Sequence, residues 1–520
     1  MTQRSFSADQ SLAQAKALAN QGQVEAAKRL YGQILAQFPQ HKKARKELRA
    51  LQERADSRLS REDFERVMRL VSSGKLDAAE SDASSLARKH PGQPALHNLL
   101  GVILTRRSKL TSAVEHFRKA LALQPDFVDA LNNLGAAYAK LGHAAEAERC
   151  YKSLLHASTR DPDTWYNLGN AQRNLKKFED AAASYRQSLQ LRPLSPEAHL
   201  NLGKTYLDLG DPQRAIGSFQ DALGIKDSFL PARQQLASAY FNQGKVSRAG
   251  DCYKQILKVR PDDTQALLGL ANCQRSLGVF TAAAETYSRV LELNPGSATA
   301  RHHLDAIQHR RSDRAPEDYV RSVFNAYAPG FEQHLTGALG YNSPSILRAL
   351  GDTLDMGTAI GGAAVDLGCG TGLAGVAFRD QADSLLGIDL SPGMLREADK
   401  KRVYDRLLEG DIVKTLHAQS DPFNLLLCCD TLVYIGKLEP LFAAVSDASA
   451  PGARFLFTTE HLDQGDFELL QTGRYAHSQA YIEACAAKAG LELLHFEESQ
   501  PRKEQGDWLN GGLYCLAKPA

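Results

Sequence analysis

The chain lacks most of the features that would take it out of the ordinary globular class. Its strongest apolar run, "FNLLLCC" at 423–429, is seven residues long, against about 20 needed for a membrane-spanning helix. The N-terminus, "MTQRSFSADQSLAQAKALANQGQ", has no apolar h-region, so no secretory signal is expected. Only eight cysteines occur in 520 residues, none in a Cys-x-x-Cys pair and none clustered with histidine at zinc spacing. No metal site is expected, and the thiols read as reduced and mostly buried, in a cytoplasmic protein. An excess of one charge is also missing, since the net is only +2, yet the balance is uneven. Residues 316–520 carry 16 Lys+Arg against 28 Asp+Glu, a net of −12, and the rest carries 46 against 32, a net of +14. Two parts of opposite sign suggest domains with different partners, or parts that attract one another.

What is present first is a period. Gly101, Gly135, Gly169 and Gly203 stand 34 residues apart, and the same step lands on Ala237 and Ala271. Twelve residues on from each come Ala113, Ala147, Ala181, Ala215, Ala249 and Ala283, and four beyond those Phe117, Tyr151, Tyr185, Phe219, Tyr253 and Tyr287. Small residues at fixed spacing let two helices approach, and the aromatic is expected to fill the gap to the next repeat. Pro125, Pro193, Pro261 and Pro295 end second helices. The pattern resembles the tetratricopeptide repeat family, with a weaker unit around Ala27, Tyr31 and Pro39. About eight repeats are expected, roughly 8–41 and 60–297, winding into an α-helical solenoid. The insert "HKKARKELRALQERADSR" reads as a charged exposed helix, and "ATARHHLDAIQHRR" as the polar cap such an array needs.

Asn133, Asn167 and Asn201 repeat the 34-residue step, with Gln235 next in line. An amide can donate to and accept from a peptide backbone at once, so these residues are candidate peptide-groove contacts. A similar ladder lines the repeats of O-linked GlcNAc transferase. The alternative is that asparagine is simply a solvated choice at this position.

After "RSDRAP" (311–316) the period changes. Apolar runs "AAVDL", "SLLGIDL", "RLLEGDI", "FNLLLCCD", "ARFLFTTE", "LELLHFEE" and "GLYCLAKP" alternate with helical stretches, the last two suiting an antiparallel hairpin. This is the pattern of a doubly wound α/β sheet. The glycine-rich stretch "AAVDLGCGTGLAG" follows the first run. It lacks the Gly-Lys-Ser/Thr of a phosphate loop, and the acid Asp366 sits where a dinucleotide fold brings a pyrophosphate. An acid there suits a cationic ligand without phosphate.

"VDLGCGTG", "GIDLSPGML" and "LLEGDI", in that order, resemble the motifs of class I S-adenosylmethionine-dependent methyltransferases over residues 317–520. The resemblance implies a Rossmann-like domain with a mostly parallel seven-stranded sheet, and S-adenosylmethionine as cofactor. By it, Gly368, Cys369, Gly370 and Gly372 form the bare loop and Asp366 meets the amino-acid end. Asp389 with Leu390 takes the ribose, Asp411 with Ile412 takes the adenine, and Asp430 stands between methionine moiety and substrate. "EDYVRSVFNAYAPGFEQHLTGALGYNSPSIL" and "GRYAHSQAYIEACAAKAGL" further resemble a bacterial group of predicted methyltransferases that often carry such repeats. The expected organisation is 1–59 for the first repeat and charged insert, 60–297 for the other repeats, 298–315 for cap and linker, and 316–520 for the methyltransferase domain.

Methyl transfer is an in-line displacement in which the enzyme chiefly supplies alignment. A hydroxyl or ammonium acceptor also needs a base. The catalytic candidates are His477, Asp430 and Tyr434, although His477 also reads as a capping or surface histidine before a helix begun by Ser478. Arg474 is a candidate substrate residue, and Tyr327 and His334 candidate lid residues. The expected function is methylation of a protein or peptide recruited by the repeats, its ligand acidic because the repeat part is basic. The alternatives are a small-molecule methyltransferase anchored by its repeats, and a scaffold with a cofactor-sensing domain. Neither a membrane nor a nucleic-acid partner is expected. The acidic second domain opposes phosphate binding, and the fourth strand ends without the Asn/Asp-Pro-Pro-Tyr motif.

Overall fold

A computed structural model describes residues 8–21, 23–56, 60–157, 160–328, 331–333, 335, 340–354, 361–504 and 507–520. The chain forms two compact units, Met1–Ser228 and Phe229–Ala520. Compactness thus divides it inside the repeat array and not where the 34-residue period ends.

The first unit is all helical. Its helices pair as the period demands, for example Pro94–Arg106 with Leu110–Leu123 and Pro162–Asn174 with Phe178–Leu191. From Phe117 to Phe219 the aromatic seats on the glycine of its own repeat, whereas Tyr253 packs on Gly269 of the next repeat, as the sequence leads one to expect. A Cβ on Gly101 would lie 2.5 Å from the Phe117 ring, and one on Gly169 2.8 Å from the Tyr185 ring. Turns between paired helices need a left-handed residue, and Gly74, Ser108, Gly142, Lys176 and Gly210 supply it at 34-residue steps. Ser108 and Lys176 accept a conformation that glycine adopts freely. The charged insert is helical over Lys42–Asp56, yet Ala44 and Leu51 are buried with Tyr31 and Ile34, so it is only partly an exposed element. Two of the asparagines bond to the preceding repeat and not to one another: Asn133 Nδ2 donates to Asn98 at 3.1 Å, and Asn201 Nδ2 donates to Tyr166 and Asn170, both at 2.9 Å.

The second unit begins with the final repeats, Leu230–Asn242 with Val246–Val259 and Thr264–Ser276 with Phe280–Leu293, followed by helix Ala298–Ile307. That last helix is no polar cap. His302 and His303 are buried, and His302 Nε2 donates to the Gly473 carbonyl at 2.8 Å. The short junction behind it is pinned by backbone. Ala315 N–H donates to Tyr434 O, and Asp313 O accepts from the amides of Gly436 and Lys437.

The sheet that follows comprises β1 (Ala363–Leu367), β2 (Ser384–Asp389), β3 (Arg406–Glu409), β4 (Phe423–Cys428), β5 (Ser449–His461), β6 (Phe467–Leu469), β7 (Tyr475–His477), β8 (Glu492–Ser499) and, after a two-stranded ribbon of β9 (Lys503–Glu504) and β10 (Asp507–Trp508), β11 (Gly511–Ala517). The order is β3-β2-β1-β4-β5-β11-β8, and β6 and β7 attach beside β5. The first five strands pair in parallel, and β11 runs antiparallel between β5 and β8. All seven sequence-read strands are present, and β6 and β7 are additions. Continuous apolar β1 and β4 lie at the centre, buried on both faces, as parallel strands must be. The chain reverses its winding beside β1, which puts a crevice at the carboxyl ends of β1, β2 and β4.

Candidate active site

That crevice opens into a cavity of about 820 Å³. On one side lie the glycine loop and the acids that end the strands. Asp366, in β1, is wholly buried, and Tyr404 donates a 2.7 Å hydrogen bond to its Oδ2. Burial pushes its carboxyl up to about 7, the Tyr404 bond opposing and the Asp389 charge assisting. Its Oδ1 has no partner, and neither has the buried Thr371 Oγ1. Asp389, ending β2, accepts from Gly370 N–H at 2.9 Å and Ser391 N–H at 2.8 Å, and it too is raised by burial. A Cβ on Gly370 would meet nothing within 4 Å, so the loop leaves open space there.

Asp411 caps helix Ile412–His417 through the Lys414 amide at 3.0 Å, and Arg314 bonds its other oxygen at 2.7 Å. Burial works against the charge, but the Lys414 amide and Arg314 prevail and hold this carboxyl below its usual range. The junction therefore contributes directly to the site. Helix Glu317–Tyr327 contributes too, since Asn325 Oδ1 accepts from Ser391 Oγ at 2.8 Å and Gly393 N–H at 2.9 Å, fixing the turn after β2.

Asp430 follows β4 with φ of 54°, a strained backbone for a residue with a side chain. Its carboxylate is paired with Arg502, which also pairs with Glu460. Arg502 is only 1% exposed. Arg474 reaches Glu460 at 3.6 Å and hydrogen-bonds the Tyr434 hydroxyl, whose proton is held more tightly chiefly because of burial.

The structure brings Asp366, Gly368, Cys369, Gly370, Asp389, Leu390, Asp411, Ile412, Asp430, Tyr434 and Arg474 to the cavity wall. Gly372 stands just behind, with a left-handed φ of 93° that starts helix Leu373–Phe378. His477 must be corrected. It is sealed inside β7 with no exposure, and its Nε2 is bonded to the carbonyls of Ile435 at 2.9 Å and Gly436 at 3.1 Å. Burial lowers its pKa to about 4 despite those bonds. It does not border the cavity and is no base, whereas Ser478 does cap the next helix. His334 and the side chain of Tyr327 lie outside the described residues. Tyr404 and Arg502 belong to no motif and were not legible, and Arg314 and Asn325, though inside quoted stretches, stand in no spacing that singles them out.

The cavity is also lined by the final repeats, through Phe241, Asn272, Arg275, Ser276 and Phe280, and by Thr299 of the helix that follows them. Arg275 donates to the Thr472 carbonyl at 2.8 Å.

Comparison with known proteins agrees with this division. Models described as "Tetratricopeptide repeat" match residues 11–41 and 132–196, 166–229 and 235–298, and one described as "TPR repeat" matches 101–142. The model "Methyltransferase domain" matches 364–452, the span that holds the glycine loop and Asp366, Asp389, Asp411 and Asp430. The chain is a tetratricopeptide-repeat protein with a methyltransferase domain. A curated relative, the 18S rRNA (guanine-N(7))-methyltransferase of Bos taurus, is 42% identical over 60 residues, 12% of this chain and 20% of that protein. The chain thus spans about a fifth of that relative's length. Among solved structures, a tetratricopeptide repeat protein from Parabacteroides merdae is 20% identical, covering 48% of this chain and 98% of its own, with a TM-score of 0.37. The C-terminal part of a repeat-containing protein from Cytophaga hutchinsonii is 17% identical, covering 46% and 98%, with a TM-score of 0.41. No helix among the described residues is long and apolar enough to cross a membrane.

Proposed function

We propose that the protein transfers a methyl group from S-adenosylmethionine to a protein or peptide guided in by its repeats. One observation carries this reading. Three strand-end acids and a bare glycine loop border a single cavity that repeat residues also line. The unpartnered Asp366 Oδ1 and Thr371 Oγ1, with the open space at Gly370, fit a ligand with a cationic end and hydrogen-bonding groups along it. When bound, the cofactor supplies an electrophilic methyl group on a sulfonium. Asp366 faces the ammonium end. Asp389 keeps acceptor capacity for ribose hydroxyls beyond its two amides, because a carboxylate has about four lone-pair sites. Asp411 and Ile412 border the base. An RNA acceptor, as the bovine relative's name records for that protein, is disfavoured by the net charge of −12 over residues 316–520.

Calorimetry tests the reading. Asp389→Ala is expected to weaken S-adenosylhomocysteine binding by roughly 1–3 kcal/mol, the scale of lost hydrogen bonds to a charged group. Tight NAD binding with no heat from S-adenosylhomocysteine would refute it.

A pH dependence follows from Asp366. Its carboxyl is protonated below about 7 and ionised above. The ligand ammonium favours the ionised form, so binding releases a proton at low pH and the affinity rises with pH. The expected slope approaches about ten-fold per pH unit below that pKa and levels above it. Asp366→Asn should flatten the profile between pH 6 and 8; an unchanged slope would assign the titration elsewhere.

A further inference from the structure

The acceptor side of the cavity carries more guanidinium than carboxylate. Arg275, Arg474 and Arg502 all line it. Against them stand Asp430, in the lining, and Glu460 behind it, both already paired with Arg502. A third carboxylate of the lining, Glu468, lies on the rim beside His309 and is 45% exposed, so at the buried end three guanidiniums face two carboxylates and leave one positive charge. Arg275 donates to a neutral carbonyl, Thr472 O, and its Nε is buried without a partner, as is the Nε of Arg502. A cationic acceptor such as an amine or guanidine would be repelled from this wall.

A neutral hydroxyl acceptor meets a second obstacle. Among the described residues no base faces the buried end. His477 is sealed away. His303 is fully enclosed, and burial first, then Arg275, drives its imidazole well below its ordinary pKa. His309 sits on the outer rim, 59% exposed and 3.3 Å from Glu468. Asp430 is neutralised by Arg502.

We propose that the methyl acceptor is a carboxylate, bound against Arg275 and Arg474 and converted to its methyl ester. This rests on the methyltransferase reading above. The reaction balances without a proton. A carboxylate oxygen donates its lone pair to the methyl carbon, the new O–C bond forms, and the S–C bond breaks with its pair left on sulfur. An anion and a sulfonium become a neutral ester and a neutral thioether, so no base is required. Burying an anion beside an uncompensated guanidinium is the arrangement that keeps its charge-assisted bonds strong. The basic repeat part, with its net of +14, favours acidic ligands in the same sense.

The test uses the full chain and methyl-labelled cofactor. The probes are blocked hexapeptides holding Glu or Asp, the same peptides with Gln or Asn, peptides with Lys or Ser, and short aliphatic carboxylic acids. Label is expected on carboxylate probes alone, and is expected to leave as volatile methanol in mild alkali. The peptide and small-acid arms identify where the carboxylate resides. A second readout needs no turnover: with S-adenosylhomocysteine bound, anisotropy of dye-labelled Glu peptide should exceed that of its Gln twin. Arg275→Leu is expected to raise KM for the acid by about ten-fold or more, one charge-assisted bond's worth, with Arg275→Lys restoring part and S-adenosylhomocysteine affinity unchanged. Alkali-stable label, or label on Lys or Ser probes, overturns the inference while leaving the methyltransferase reading intact. Absence of label from every carboxylate probe while S-adenosylhomocysteine still binds also overturns it. Failure of S-adenosylhomocysteine to bind would instead remove the reading beneath it.

Discussion

A chain beginning at Phe229 is expected to melt cooperatively and bind S-adenosylhomocysteine as the full chain does, whereas one beginning at Pro316 is expected to lose most of its fold. The second cut follows the family boundary and removes physical support. Ala306, Ala315, Tyr319, Val320, Leu469 and Tyr475 form one buried cluster, drawn from helix Ala298–Ile307, the junction, helix Glu317–Tyr327 and the β6–β7 arm. His302 and Arg275 hold the carbonyls of Gly473 and Thr472, and Arg314 holds Asp411. Uncovering the large members, Tyr319, Leu469 and Tyr475, costs about 1.5–3 kcal/mol for each side chain. Their sum is on the order of the whole stability of a domain. Circular-dichroism melts and calorimetry on both chains decide the matter; equal melting temperatures would show that the repeats add no support. The chain from Phe229 should also show a KM for a repeat-recruited protein raised by about 10²-fold, since a second binding contact supplies effective concentration.

Arg502→Met is expected to cost about 3–5 kcal/mol in urea denaturation, the penalty for stripping the partner from buried Glu460 and half-buried Asp430. Asp430 and Glu460 would then face each other without the guanidinium that now joins them. Asp430 also loses the anchor that helps hold its left-handed backbone. Adding Asp430→Asn and Glu460→Gln to Arg502→Met should recover much of the loss, because neutral amides need no counter-charge. A single variant as stable as the parent would show that the network bears no load.

The contrast between these residues explains what was readable in advance. The glycine and aromatic steps of the repeats, and the strand-end acids, recur or fall in short motifs, so local order exposes them. Arg502 lies 72 residues from Asp430 and Tyr404 38 from Asp366, and the sheet alone brings each pair together. His477 was misread because its place beyond the fifth strand suggested the open crevice edge. β7 instead pairs with β5 and turns the ring inward onto Ile435 and Gly436. The cap was misread for a related reason: two adjacent histidines look polar until a glycine carbonyl and Tyr319 cover them.

The seam at Gly473 and Thr472 is made by side chains gripping main-chain oxygens. Such contacts ignore the identity of the residue they hold, though Gly473 itself must stay small beside His303. Every repeat residue on the cavity wall comes from Phe241 onward. Evolution, or an engineer, can therefore exchange the earlier helices wholesale while leaving the reactive end intact. The parts of the chain on either side of Ser228 can in this sense diverge at different rates, the later one constrained by its cavity and the earlier one only by its own packing.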